Sequence, residues 1–193
     1  MAGRQAKLLS DTMLKRALKF ASHTRHPDRN QVILLLSAKA GLRACEIAGL
    51  TWGMATTARN RVNHTLEVRD SIAKRKRGRS IPMHPDLKQA LTKLKAGRHI
   101  SPDEPIIQSE RGEHMSAASI VNWFAMIYQE LGYDGCSSHS GRRTFITRAA
   151  RAIAKSGGSL RDVQELAGHA SLGMTERYIE GDRDAQRRLI RQV

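Results

Sequence analysis

Apolar residues recur at helical spacing along most of the chain, and one stretch of short alternating segments interrupts them. Ser10 and Asp11 can cap a helix whose face is Met13, Leu14, Ala17, Leu18 and Ala21. The polar stretch HTRHPDRN breaks it. Pro27 and Asp28 open a second helix through VILLLSAKA, stopped by Gly41. Arg43 to Leu50 reads as a further short helix. From Thr51 to Pro82 the period changes: Trp52, Val62, Leu66, Val68, Ile72 and Ile81 are spaced by polar residues, which predicts short strands joined by turns. Gly78 suits a hairpin turn there. Helices resume with PDLKQALTKLKA. After a loop through Pro102, Pro105 and Gly112, Ser116 caps SAASIVNWFAMIYQEL, whose Ile120, Trp123, Phe124 and Ile127 share one face. SGRRTFITRAARAIAKSGG reads as helix up to its glycines. So does SLRDVQELAGH, capped by Ser159, and so does TERYIEGDRDAQRRLIRQV, with a break near Gly181. The pattern predicts a mainly α (α+β) fold: a helical domain with a small antiparallel β-sheet.

Composition narrows the function. A length of 193 residues with 40% hydrophobic residues suits one domain and at most an appendage. Lys and Arg number 33 against 18 Asp and Glu, a formal charge of +15, which points to a polyanionic partner, most often nucleic acid. Two cysteines, Cys45 and Cys136, cannot build a disulfide framework or a thiolate metal cluster. Both are expected to be inert, Cys45 in a buried helix and Cys136 in a loop. The longest aliphatic run, Val32 to Leu36, is too short to span a bilayer, and the N-terminus MAGRQAKLLSD lacks the apolar core of a signal peptide. A soluble protein of a reducing compartment is expected.

A few polar positions stand out against this background. Arg43 lies in the apolar frame GLRACEIAGL, with Glu46 one helical turn on. The segment AKRKRGRSIP carries five basic residues in the six positions from Lys74 to Arg79. His139 and Arg142 are three apart in SSHSGRRTF, His169 closes LAGH, and Tyr178 follows nine residues later. Each has an ordinary reading: an intrahelical ion pair, a solvated loop, a cap, a helix-dipole partner, a core tyrosine. Taken together they suit one chemistry. Two arginines can clamp phosphate oxygens through forked hydrogen bonds, which strengthen as charge builds in a pentavalent transition state. A lysine can protonate the leaving oxygen, and a histidine can assist proton transfer. A tyrosine between guanidinium groups is an improved nucleophile. The resulting phosphotyrosine would conserve the energy of the broken bond, so that resealing needs neither ATP nor metal.

The ordered set GLRACEIAGL, KRKRGRSIP, HSGR, AGH and the nine-residue step from His169 to Tyr178 resembles the tyrosine recombinases, or phage integrase family. The match runs from about Ser10 to Tyr178. The resemblance implies that Arg43 and Arg142 clamp the phosphate. Lys74, preferred over Lys76 for its distance from Pro82, is the general acid for the 5′-oxygen. His139 is the proton-transfer histidine, His169 contacts the phosphate, and Tyr178 is the nucleophile, leaving a 3′-phosphotyrosine. Glu46 orients the site from behind it. Arg75, Lys76, Arg77, Arg79 and Arg143 are expected to contact DNA, and no cofactor or metal is expected. Gly141 stands where the family often has leucine, and Ala167 replaces the leucine of LGH; neither removes a reacting group.

Residues 1–180 are expected to form the catalytic domain. Most members of the family carry an additional N-terminal helical domain that completes a clamp on DNA, and only about ten residues precede the first helix here. The chain is therefore expected to be either an excised fragment or a minimal recombinase. The tail 181–193 is expected to be helical and to exchange between protomers through Ala185, Leu189, Ile190 and Val193. Expected partners are double-stranded DNA, further copies forming a tetramer on paired sites, and a helper or directionality protein. A cytoplasmic, nucleoid-associated protein of bacterial, plasmid or phage origin is expected. The alternatives are a type IB topoisomerase and a non-catalytic DNA-binding regulator on the same fold. A metal-dependent nuclease is disfavoured, because His23 and His26 have no carboxylate cluster beside them.

Overall fold

A computed structural model describes residues 5–178 and residue 190. Helix starts follow the local signals in the sequence. Ser10 Oγ accepts the amide of Met13 at 3.1 Å and opens α1 (Asp11–Ala21), which buries Leu14, Ala17 and Ala21. Pro27 opens α2 (Pro27–Lys39). This helix is buried on nearly every side from Val32 to Ala38, as a central helix should be. It packs on α1, on α3 (Ala44–Gly49) and on α4 (Pro85–Lys95). Ser116 caps α5 (Ala117–Glu130), whose Ile120, Trp123, Phe124 and Ile127 are buried; α5 packs on α3. α6 covers Ser140–Ser156. The fold is thus mainly helical, with one small antiparallel sheet.

That sheet pairs β1 (Thr65–Val68) with β2 (Arg79–Pro82), in a register that sets Thr65 against Pro82 and Val68 against Arg79. Other residues expected in strands take different roles. Trp52 lies in a 3-10 turn (Trp52–Met54), Val62 forms a single bridge with Thr56, and Ile72 sits in a turn. Burial explains the first of these. The wholly buried Trp52 ends the run from α3, and its amide donates to the Glu104 carbonyl at 3.0 Å rather than to a strand.

The β1–β2 connection is a loop over residues 69–78 rather than a tight hairpin at Gly78. Its left-handed positions are Arg75 (φ 63) and Lys76 (φ 52). Gly78 serves close approach instead: a Cβ there would lie 2.7 Å from the Val68 carbonyl, and its amide donates to Asp70 at 2.6 Å.

The chain divides into two compact units, Met1–Phe145 and Ile146–Val193. In the second, Ser159 and Asp162 form a reciprocal capping box at the start of α7 (Leu160–Ala167), and Gly168 ends it at φ +60. α7 packs on α8 (Leu172–Glu176). Of the tail, only Ile190 is described: it is helical and 74% exposed, while Ala185, Leu189 and Val193 lie outside the described residues. Among the described residues no helix is long and apolar enough to cross a membrane. Both cysteines are free, and Cys45 is exposed on α3, which corrects the expectation of a buried position.

Candidate active site

The first unit builds its polar cluster around the start of α3. After α2 the chain turns at Gly41 (φ +66), where a side chain would run into Phe145, and reaches Arg43, the residue that caps α3. Glu46 lies one turn on and is completely buried. Its Oε2 accepts the Arg43 amide at 2.9 Å and its Oε1 accepts Arg43 Nη1 at 2.8 Å. Arg79, on β2, then sets its fork on the same carboxylate, Nη1 to Oε1 at 3.0 Å and Nη2 to Oε2 at 2.9 Å. Burial alone would push the Glu46 carboxyl up. The Arg79 hydrogen bonds and charge, together with Arg43, outweigh burial and hold the group down at about 2. One carboxylate thus fixes two guanidinium groups, and the assembly keeps a net positive charge.

Arg79 was expected to contact DNA, and the structure corrects this. Its side chain is only 5% exposed and is committed to Glu46. A buried carboxylate in an apolar frame needs a cation, and β2 supplies one from its inward face. Arg79 therefore ties the strand that ends the basic loop to the residue that holds Arg43.

Arg142 and His139 join this cluster from the start of α6. Arg142 is 5% exposed, and its Nη1 donates to the Gly41 carbonyl, two residues before Arg43. Arg143 points elsewhere. Its Nη1 donates to the Ala6 carbonyl at 2.6 Å and helps pin the N-terminal segment, as do Leu9 N to Thr144 Oγ1 (2.7 Å) and Lys7 N to the Gly135 carbonyl (2.9 Å). The three-residue step from His139 thus selects Arg142 for the cluster. His139 is held below its ordinary 6.5 by burial and then by the charges of Arg142, Arg43 and Lys74. The charges of Arg142, Arg43 and Lys74 thus all act on His139 in the same direction.

Lys74 is exposed on the 69–78 loop, as are Arg75, Lys76 and Arg77. The loop is anchored immediately before it: Ala73 is buried, and Ile72 packs so closely on α3 that a Cβ at Gly49 would meet the Ile72 Cβ at 2.9 Å. An exposed ammonium is thereby carried on a fixed base.

His169 and Tyr178 form a pair in the second unit. Their rings stack with centroids 5.4 Å apart and planes at 25°. His169 is 4% exposed. Its amide takes the Gln164 carbonyl at 3.0 Å, its carbonyl accepts Gln164 Nε2 at 3.1 Å, and its Nδ1 bonds Thr175 Oγ1 at 2.9 Å. The Tyr178 carbonyl accepts from Thr147 Oγ1 of α6 at 3.3 Å. The sequence reading missed three of these supports: Gly41, whose carbonyl holds Arg142, and Thr175 and Thr147. Gly41 was visible as a helix stop; a lone threonine inside MTERYIE carries no signal of its own. Among the described residues no group of three or more His, Cys, Asp or Glu is arranged to hold a metal ion.

Comparison with known proteins bears on the family and the fold. The chain is 31% identical over 157 residues to the tyrosine recombinase XerC of Rhizobium meliloti (strain 1021), an alignment covering 78% of this chain and 45% of the relative. It therefore spans about half the length of the curated relatives it matches. In fold it is similar to the integrase of the transposon Tn1549, solved in complex with a circular-intermediate DNA (TM-score 0.77, 18% identity, 100% of this chain and 67% of that one). It is also similar to XerA recombinase (TM-score 0.71, 21% identity, 100% and 65%). The profile of the phage integrase family matches residues 7–184, nearly the whole sequence, and the chain belongs to that family.

Proposed function

We propose that the chain is the catalytic part of a site-specific DNA recombinase that cuts and rejoins DNA through a tyrosine. The observation that supports this is the cluster of anchored cations in the first unit. Two guanidinium groups are anchored from behind, Arg43 by Glu46 and Arg142 by Gly41, beside an exposed Lys74 and a histidine whose pKa burial and their charges lower. Arg43 and Arg142 grip the non-bridging oxygens of the scissile phosphate. Tyr178 Oη attacks phosphorus and the bond to the 5′-oxygen breaks. Lys74 gives that oxygen its proton, and His139 assists transfer of the tyrosine proton. His169 contacts the phosphate and orders the tyrosine ring by stacking. The product is a 3′-phosphotyrosine and a free 5′-hydroxyl, so the step reverses without another energy source.

Residues 1–180 carry this chemistry in the proposal. Arg75, Lys76 and Arg77 are the DNA contacts of the exposed loop. The partners are double-stranded DNA and further copies of the chain, forming a tetramer on paired sites with a helper or directionality protein. The tail 181–193 reaches a neighbouring protomer, a reading supported by the exposed, helical Ile190. The setting is the nucleoid of a bacterial cytoplasm, consistent with two free cysteines.

Covalent capture tests the reading. The protein is mixed with random DNA fragments and denatured, and protein-linked DNA is sequenced, with Tyr178→Phe as control. Adducts at one repeated sequence that vanish in Tyr178→Phe, with binding retained, are expected. Adducts spread over all sequences would indicate a topoisomerase instead. DNA binding without adducts would indicate a binding protein on this fold.

A further inference from the structure

The basic loop lies at one end of the β1–β2 ribbon, and a second basic surface lies at the other. The register places Val68 and Arg79 at the loop end and Thr65 and Pro82 at the far end. Three steps along β1 separate these ends by about 10 Å. Beyond the far end, His64 accepts the Met83 amide on its carbonyl at 2.8 Å, and a groove of about 690 Å³ opens beside it.

Two elements supply the groove wall. The turn closed by Thr57 N to the Arg61 carbonyl (2.8 Å), with Asn60 at φ 55, presents Arg61. Helix α4 presents Lys88, Thr92 and Lys95, whose spacing places them on one face. Arg98 completes the rim and is already paired with Glu104 at 2.6 Å. Lys88 Nζ leans on the His64 imidazole, 3.0 Å from Nε2 and 3.3 Å from Nδ1. The groove is lined by no aspartate or glutamate, and among the described residues Arg61, Lys88 and Lys95 make no ion pair. Elsewhere on α4, Lys93 is neutralised by Asp28 at 2.8 Å. A concave surface that gathers cations with hydroxyl and imidazole groups, and excludes carboxylates, is suited to phosphoryl oxygens.

We propose that this groove is a second phosphate-binding site, separate from the Arg43–Arg142 cluster, and that it holds the DNA backbone outside the cleaved phosphate. The choice of DNA as the source of phosphate rests on the recombinase reading; the phosphate chemistry of the groove does not. Its action is electrostatic, so it adds affinity and footprint length without reading sequence.

The test combines lysine protection with salt dependence. Acetylation of Lys88 and Lys95 by acetic anhydride is read by mass spectrometry on the full chain, alone, with a long duplex and with pyrophosphate. Lys93 is the internal control on the same helix. A parallel titration compares duplex binding by the wild type and by Arg61→Gln/Lys88→Gln/Lys95→Gln. The expected result is several-fold protection of Lys88 and Lys95 over Lys93 by duplex. The slope of log K against log salt should also become shallower by about 2 to 3 in the triple variant. Protection by pyrophosphate alone, with an unchanged slope, supports the site but assigns it to a free phosphate compound. Protection by neither, with an unchanged slope, overturns the proposal. Protection by duplex in a protein that forms no Tyr178 adducts would leave the groove standing while the recombinase reading fails.

Discussion

Glu46 is the residue on which the first unit's cluster depends most, and Glu46→Gln isolates its charge. The side chain is fully buried and its two oxygens accept four donated hydrogens, three from guanidinium groups and one from the Arg43 amide. Glutamine keeps the shape but turns an NH2 toward one arginine and takes the Glu46 charge away from Arg79, which is 5% exposed. The fall of the Glu46 pKa from 4.5 to about 2 corresponds to about 3 kcal/mol of stability. Breaking a buried pair by removing one partner typically costs about 3–5 kcal/mol, so the two routes agree in scale.

The sign of the pH effect follows from the direction of the shift. The folded carboxyl titrates below the unfolded one, so the unfolded chain binds the proton first as pH falls. The contribution is complete above 4.5 and disappears as pH drops toward 2. Urea unfolding followed by tryptophan fluorescence reads this directly, because both tryptophans, Trp52 and Trp123, lie in the same unit as Glu46. Glu46→Gln should be less stable than the wild type by about 3 kcal/mol at pH 7, and the gap should close between 4.5 and 2. A gap that is small at pH 7, or that persists unchanged in acid, would refute the account of Glu46 as a charged anchor.

Arg43→Lys should lower adduct formation by about 10²–10³-fold, because a point charge cannot reproduce a fork held between carboxylate and phosphate; near-native cleavage would remove Arg43 from the clamp. Cleavage should decline on the acid side of 6.5, where His139 takes up a proton against the charges of Arg142, Arg43 and Lys74; a pH profile whose acid limb lies above 6.5, or survives in His139→Asn, argues against that role. Gly141→Ala places a methyl against Ser37, 2.9 Å from its Cβ and 3.1 Å from its backbone carbon, and should cost about 1–3 kcal/mol in a urea titration. An unchanged midpoint would show that α6 and α2 can part without strain.

The features legible in the sequence were the local ones. Ser10, Ser116 and Ser159 announced their helices because a cap and its amide are three residues apart. The face Ile120, Trp123, Phe124, Ile127 could be read from spacing alone, since a helix brings those positions together wherever it packs. Gly141 was visible only as a departure from the family pattern. Its cause is Ser37, more than a hundred residues earlier, where α6 comes so close to α2 that no side chain fits between them. Trp52 and Ile72 misled because an apolar residue in a polar stretch looks the same whether it faces a sheet or plugs a turn.

Arg79 shows where such a reading stops and how it could have gone further. A run of basic residues looks uniform, so Arg75, Lys76, Arg77 and Arg79 are all read from sequence as DNA contacts. The strand period distinguishes them: Ile81 is buried, side chains alternate along β2, and Arg79 therefore faces inward with Ile81. An inward arginine in a protein of charge +15 needs an anion, and Glu46 is the buried acid in the apolar frame GLRACEIAGL. That pairing bridges 33 positions and joins the base of the Lys74 loop to the cap that holds Arg43. The exposed cations and the buried one thus have opposite tasks. Lys74 to Arg77 remain exposed on the surface, while Arg79 turns its charge to the interior and, through Glu46, helps set the position of Arg43.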